Sequence, residues 1–231
     1  VYAQENPTII SMVHYKFDPL KEQPDIPDSL LAIPDPIDEN YYIVQFQGPI
    51  QNEWKKEVTD LGGKIFDYVN HFAFVVKMDE ITRWRVEKLP FVRWVGMFHP
   101  AYKLDPNLGK NRFNPDDSKW TLILSFFRDV DTAKVLKKIK EIGGKSSNLF
   151  YFPQHRIVRV EVYISPDKID ELAAIPEVKW ITHKAHKELK NHSTCFFVQK
   201  FSGGTIPAAG DTSIWANGIH GEGQIIGFGD T

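Results

Sequence analysis

Residues 54–68, WKKEVTDLGGKIFDY, are matched later in the chain by residues 135–149, VLKKIKEIGGKSSNL. Both stretches carry apolar residues at the spacing of an amphipathic helix. A glycine follows the last apolar position in each, at Gly62 and Gly143, and glycine readily takes the left-handed conformation that ends a helix. Each stretch therefore predicts a helix, its end and a following strand. The apolar helical positions are Trp54, Val58 and Leu61 in the first copy and Val135, Ile139 and Ile142 in the second.

The repeat extends on both sides of this pair. YYIVQFQ (41–47) aligns with WTLILSF (120–126), and LPFVRWVGMFHP (89–100) aligns with IPEVKWITHKAH (175–186). Each copy reads as strand, helix, two strands, helix and strand, and a proline ends the second helix of each. That order is the ferredoxin-like sandwich, in which two helices cover one face of a four-stranded antiparallel sheet. We expect an α+β protein with two tandem ferredoxin-like (βαββαβ) modules.

Composition divides the rest of the chain. Residues 1–40 hold six prolines and eight acidic residues against two lysines, which predicts an extended, solvated leader. The first module is expected at 41–104 and the second at 118–190. A segment rich in Asn, Asp and Pro, 105–117, is expected to link them. Residues 191–231 form a third region.

Bulk properties exclude several classes of protein. The formal net charge is -2, and no stretch approaches the roughly 18 apolar residues of a membrane span, so we expect neither a nucleic-acid partner nor a membrane partner. The single cysteine, Cys195, excludes an intrachain disulfide. Val1-Tyr2-Ala3 has the small-residue spacing found before a signal-peptidase cut, which favours secretion.

The end of the chain carries the motif that points to chemistry. Residues 214–231, IWANGIHGEGQIIGFGDT, resemble the opening of the catalytic domain of subtilisin-like serine proteases. The resemblance rests on a Trp-x-x-Gly segment, a Gly-x-Gly segment, an apolar strand and Asp-Thr. It implies that 191–231 begins an α/β subtilisin-like catalytic domain, that Gln224–Phe228 is its first strand, and that Asp230 is the catalytic aspartate. The matching residues are Trp215, Gly218, Gly221, Gly223, Ile225, Ile226, Asp230 and Thr231.

The same resemblance implies the function of the modules. In such proteases a propeptide with the β-α-β-β-α-β fold precedes the catalytic domain, acting as its chaperone and inhibitor. The partners would be the chain's own catalytic domain and peptide substrates. The tail after the second module, formed by Lys187, Glu188, Leu189 and Lys190, would enter the substrate cleft as an added strand. Asn191 resembles the first mature residue of the oxidation-resistant alkaline branch, so we expect processing between Lys190 and Asn191.

Family order places the histidine and serine after Thr231, so the full-length protein would be a serine endopeptidase while this chain alone would be inactive. We expect no cofactor and no metal site in it, whereas the resemblance admits calcium in the full-length catalytic domain. The modules could instead be accessory or protein-interaction domains retained by the mature protease. A further alternative is a tandem RNA-recognition-like protein, because Phe72-Ala-Phe-Val75 falls where such modules place stacking aromatic residues. The basic residue and glycine expected before it are replaced by Asn70-His71.

Overall fold

A computed structural model describes residues 8–110, 118–128, 130–152, 157–185, 218 and 222–223. The chain divides into two compact units, residues 1–184 and 185–231. All the named helices and strands lie in the first unit, and the expected strand Gln224–Phe228 lies outside the described residues. No helix in the described part of the chain is long and apolar enough to cross a bilayer.

The first module is a four-stranded antiparallel sheet with two helices on one face. After the two short leader strands β1 (Ile10–Met12) and β2 (Tyr15–Phe17), its elements are β3 (Asn40–Phe46), α1 (Asn52–Asp60), β4 (Lys64–Tyr68), β5 (Ala73–Met78), α2 (Glu80–Glu87) and β6 (Val92–Met97). The strand order in the sheet is β4-β5-β3-β6. Helix α1 ends before Gly62, which has a φ of 108°, as expected for a glycine stop. Asp79 is the N-cap of helix α2, and its side chain accepts a hydrogen bond from the Thr82 N–H at 2.7 Å.

The second module repeats this architecture. Its elements are β7 (Trp120–Phe126), α3 (Thr132–Glu141), β8 (Lys145–Phe152), β9 (Ile157–Ile164), α4 (Ile169–Ala174) and β10 (Val178–His183). The strand order is equivalent to that of the first sheet, β10-β7-β9-β8. Helix α3 is capped by Asp131, which accepts from the N–H groups of Ala133 and Lys134, and Gly143 ends it with a φ of 89°. The predicted α+β class with tandem βαββαβ modules is therefore confirmed.

The structure shifts one part of the predicted repeat alignment by a residue. Gln45 lies opposite Trp94 in the first sheet, and Ser125 lies opposite Trp180 in the second. Residues 41–46 therefore correspond to 121–126, and the alignment of 41–47 with 120–126 was wrong. A slip of one residue moves every side chain of a strand to the other face. An irregularity in strand pairing follows Gln45 and Ser125 in both modules, which supports this correspondence.

The first part of the leader forms a hairpin that packs onto the first module, whereas most of residues 20–38 are exposed. Strands β1 (Ile10–Met12) and β2 (Tyr15–Phe17) form a hairpin, and Ile10 and Phe17 are 0% and 2% exposed. They share an apolar cluster with Ile43 and Val75, which lie on the sheet face opposite the helices. Apolar residues alternate along both short strands, so the hairpin offers an apolar face despite its acidic and proline-rich surroundings.

The two modules share one apolar cluster. Phe127, directly after β7, is 2% exposed and stacks on Tyr41 of the first module with ring centroids 4.2 Å apart. Its ring also meets Phe66 and Phe98 edge-on. A parallel bridge joins Leu104 to Ile181 of β10. The first module and the second are thus packed together within the first unit.

Candidate functional site

The residues singled out for catalysis and processing lie outside the described residues. They are Asp230, the tail Lys187, Glu188, Leu189 and Lys190, and Asn191. Two glycines of the protease-like segment are described, Gly218 and Gly223, and both have a φ of 77°. Only glycine takes that conformation without strain, so backbone geometry accounts for these two positions of the motif.

The aromatic residues considered for RNA binding face the wrong side of the sheet. Phe72 precedes β5, in a left-handed conformation with a φ of 65°, and Phe74 points toward the helices. Both pack against the apolar core between sheet and helices. On the side of the same strand away from the helices lie Ala73 and Val75, which are buried beneath the leader hairpin and Phe127. Base stacking on this face of the first module would require removal of that cover.

The equivalent sheet face of the second module is composed differently. Where the first module has Ala73 and Val75, the strand β9 places Arg159 and Glu161, as the paired registers show. Arg159 is exposed, and Glu161 is partly exposed. An apolar hairpin that covered these two charged side chains would remove their hydration, which is costly. The apolar face of the first module attracts its own leader, and the charged face of the second does not.

Aromatic side chains surround these charges. Strand pairing puts Trp180 on the same face as Ser125, and Phe150 on the same face as Arg159. Phe150 and Tyr163 are 44% and 43% exposed. We define the open face as the side of the second sheet away from α3 and α4. Within the described residues, none of the three apolar clusters includes any of its aromatic residues, which are Phe150, Phe152, Tyr163 and Trp180.

Specific polar contacts order the open face. Glu161 accepts hydrogen bonds from Asn148 Nδ2 at 3.1 Å and from Lys184 Nζ at 2.9 Å. The Asn148 hydrogen bond and then the Lys184 ammonium lower the pKa of Glu161, so its carboxylate stays ionised. The Arg159 guanidinium lies 5.4 Å from the Phe152 ring centroid. This surface combines fixed charges with exposed aromatic rings, a composition typical of a binding face.

Strand β8 forms the outer edge of this sheet. It pairs with β9 on one side, and all eight of its residues are exposed. Leu149 and Tyr151, on its other face, are 54% and 63% exposed. The sequence signal for this surface was present in the run LFYF (149–152), but a strand pattern alone does not say whether an apolar strand lies at an edge or in the centre.

No group of three or more metal-binding side chains occurs among the residues with a described position. The candidate site is a surface, defined by the open face and the exposed edge strand. The sequence pattern did not identify this surface, because exposure of a sheet face depends on what packs against it. The alternation of Arg159, Glu161 and Tyr163 with buried valines was the signal that could have located it.

Comparison with known proteins gives limited information. A family model described as a domain of unknown function, DUF8729, matches residues 11–99. This range joins the leader hairpin to the first module, in keeping with their shared apolar cluster. No curated protein matches the chain.

Two solved structures are similar to parts of the chain. Aspartate kinase from Clostridium acetobutylicum is 5% identical with a TM-score of 0.23, covering 59% of this chain and 32% of the kinase chain. The acetolactate synthase small subunit from Thermotoga maritima is 15% identical with a TM-score of 0.21, covering 63% of this chain and 92% of that subunit. The match thus spans about a third of the kinase chain. Similarity at these TM-scores carries no functional conclusion.

Proposed function

We propose that this chain is the N-terminal part of a secreted subtilisin-like serine endopeptidase zymogen. The tandem modules act as the chaperone and inhibitor of the catalytic domain that begins after Lys190. The sequence motif at 214–231 supports the protease class. The single structural observation that carries the docking role is the contrast between the two sheets: the first module covers its face with the leader, and the second leaves its open face available.

Asp230 has the chemical role of the triad aspartate in this proposal. It accepts a hydrogen bond from the histidine, fixes the tautomer of that ring and stabilises the imidazolium that forms when serine attacks. The base and the nucleophile lie later in the full-length protein. Residues 1–231 alone are expected to hydrolyse no casein or peptide substrate. Turnover by the purified chain that resists serine-directed inhibitors would contradict this assignment.

The inhibitory contact has a physical route through β10. This strand ends at His183, and the tail Lys187–Lys190 follows within a few residues. An extended tail can add to the edge of a substrate cleft by main-chain hydrogen bonds. The open face would hold the module on the protease surface, while the tail occupies the cleft. Cleavage between Lys190 and Asn191 would then separate the inhibitor from the enzyme.

An inhibition assay in trans tests this division of labour. Because Phe127 lies in the first module's cluster, the inhibitor should be residues 1–190 and not an isolated module. Phe150→Asp, on the open face, is expected to weaken inhibition of the mature enzyme by at least about tenfold, since it removes a contact ring and adds charge. The matched control is Trp84→Asp, an aromatic residue on α2 that is 57% exposed and lies outside the face.

Two outcomes would reject the zymogen proposal. Equal inhibition constants for Phe150→Asp and Trp84→Asp would show that the open face does not dock. No inhibition by residues 1–190 would favour accessory modules retained by the mature protease. Deleting Lys187–Lys190 should also weaken inhibition, although ordering a free tail costs entropy that reduces the net effect.

The open face also favours one second candidate, binding of single-stranded RNA. Cations lie beside exposed aromatic rings, with the Lys119 ammonium 5.5 Å from the Tyr163 ring centroid. Bases stack on such rings, and basic side chains hold phosphates. Among the described residues this sheet face is exposed in the second module and covered in the first, so a tandem RNA-binding arrangement is not favoured. Salt-dependent binding of a single-stranded oligonucleotide, lost in Phe150→Asp and Tyr163→Ala, would support this candidate over the protease inhibitor.

A further inference from the structure

A buried lysine connects the two modules. The 3₁₀ helix Pro100–Lys103 follows the first module and ends at Lys103, which is 2% exposed. Its Nζ donates to the carbonyl oxygens of Ala173 and Ile175, both at 2.8 Å. These carbonyls lie at the C-terminal end of α4, where a helix has no internal donors for its last carbonyl groups. The side chain of Lys103, which follows the first module, therefore caps the C-terminal end of a helix of the second module.

The surroundings of the Lys103 amine suit an uncharged nitrogen. The structure gives its Nζ two carbonyl acceptors, so a buried ammonium would have a third N–H group without a described acceptor, which is costly. In the part of the chain that the structure describes, Lys103 forms no ion pair. Glu177 is the carboxylate whose charge acts on it, and Glu177 already pairs with Lys138 at 2.9 Å. A lysine is seldom fully buried without such a pair of its own.

Other charged groups on the packed elements are directed elsewhere. Elements α4 and β10 both pack on the 3₁₀ helix that carries Lys103. On α4, Glu171 pairs with Lys168, and on β10, Lys179 pairs with Asp67. The remaining titratable groups on these two elements are Asp170, which is partly exposed, and His183, whose Nε2 accepts a hydrogen bond from the Gly109 N–H.

We propose that Lys103 is a proton-dependent clamp between the two modules, closed by its neutral amine and weakened when that amine carries a charge. This inference is independent of the proposed function. Burial lowers the pKa of Lys103 to about 7, and the Glu177 carboxylate opposes this effect only partly. An exposed lysine has a pKa near 10.4. The separated modules therefore bind more protons than the joined ones between about pH 7 and pH 10, so the joint strengthens as pH rises through that window. Below it, both states are protonated and the joint changes no further.

Heteronuclear NMR of the full chain tests the protonation directly. Through-bond assignment of the Lys103 Cε and Nζ signals needs no variant, and their titration is expected to have a midpoint near 7. A Lys103 midpoint at or above about 9 would overturn the proposal, because the amine would then be charged throughout the neutral range.

Amide exchange tests the mechanical consequence. The Asp105 N–H donates to the Ile181 oxygen at 3.0 Å across the joint, so its protection factor reports opening of the modules. From pH 7 to pH 9, this protection factor should rise by more than about tenfold in the native chain and stay level in Lys103→Met. The control Lys179→Met removes a joint ion pair of 2.9 Å and should retain the pH dependence. Equal pH dependence in the native chain and Lys103→Met would overturn the proposal.

Discussion

Replacing Phe127 with alanine tests whether the two modules share a core. This residue belongs to the second module by sequence, since it follows β7 directly. Its ring nevertheless lies among aromatic rings of the first module, with centroid distances of 4.2 Å to Tyr41, 5.5 Å to Phe66 and 5.7 Å to Phe98. The substitution removes a contact between modules and leaves the strands of both intact.

The expected loss follows from the burial of the ring. Truncating a fully buried phenylalanine costs about 3 to 5 kcal/mol, because apolar burial is lost and a cavity remains. Phe127 is 2% exposed, and stacked or edge-on aromatic pairs add about 0.5 to 1.5 kcal/mol each in favourable cases. We expect the free energy of unfolding to fall by about 4 kcal/mol. That is a large share of the roughly 5 to 15 kcal/mol that stabilises a typical domain.

Urea unfolding combined with hydrogen exchange provides the assay. The matched control is Phe126→Ala, the preceding residue, which is also 2% exposed but faces the second module's own helices. Both variants should lose comparable stability. Phe127→Ala should reduce amide protection in β3 and in the leader strands, whereas Phe126→Ala should reduce it in β7 and β9.

Two results would refute this reasoning about Phe127. A loss of less than about 1 kcal/mol would mean that the ring is not enclosed as its exposure implies. A loss of protection confined to the second module would mean that the ring does not contribute to the first module's cluster.

Three further outcomes are expected. Phe74→Ala should lower the free energy of unfolding by about 1 to 3 kcal/mol, since the ring is partly buried against the helix-side core, and calorimetry would detect the change. The hydrogen bond from Arg93 lowers the pKa of Asp18 to about 2. This carboxylate therefore stabilises the fold above about pH 4 and loses that effect as pH falls toward 2. Asp18→Asn should make the melting temperature less dependent on pH over this range. In the full-length protein, Asp230→Asn should lower kcat by about 10⁴ and leave the precursor unprocessed, as judged by gel mobility, and normal maturation would show a structural role.

The two modules illustrate how a duplicated fold can diverge in use. Their helix-side cores are alike, because each sheet must bury one face beneath its own helices. Their other faces differ at two central positions, where Ala73 and Val75 correspond to Arg159 and Glu161. This difference accounts for the leader covering one sheet face while residues of the other stay exposed.

The arrangement of helices and strands was largely determined by local sequence. Glycine stops at Gly62 and Gly143, helical spacing of apolar residues and alternation along β9 each depend on neighbours within a few positions. Such signals predicted the two βαββαβ modules. They placed the alignment of β3 with β7 wrongly by one residue. Both strands are apolar on both sides, so only their pairing with β6 and β10 shows which side chains face the helices.

Only the tertiary structure decided which surfaces are covered. The acidic, proline-rich composition of residues 1–40 did not predict the leader hairpin. Its apolar side packs against a sheet face of the first module, formed by residues distant in sequence. Lys103 reads as an ordinary surface lysine in sequence, yet it lies beneath the end of α4. Burial of this kind depends on contacts between residues distant in sequence, and the free energy of those contacts is not expressed in any local pattern.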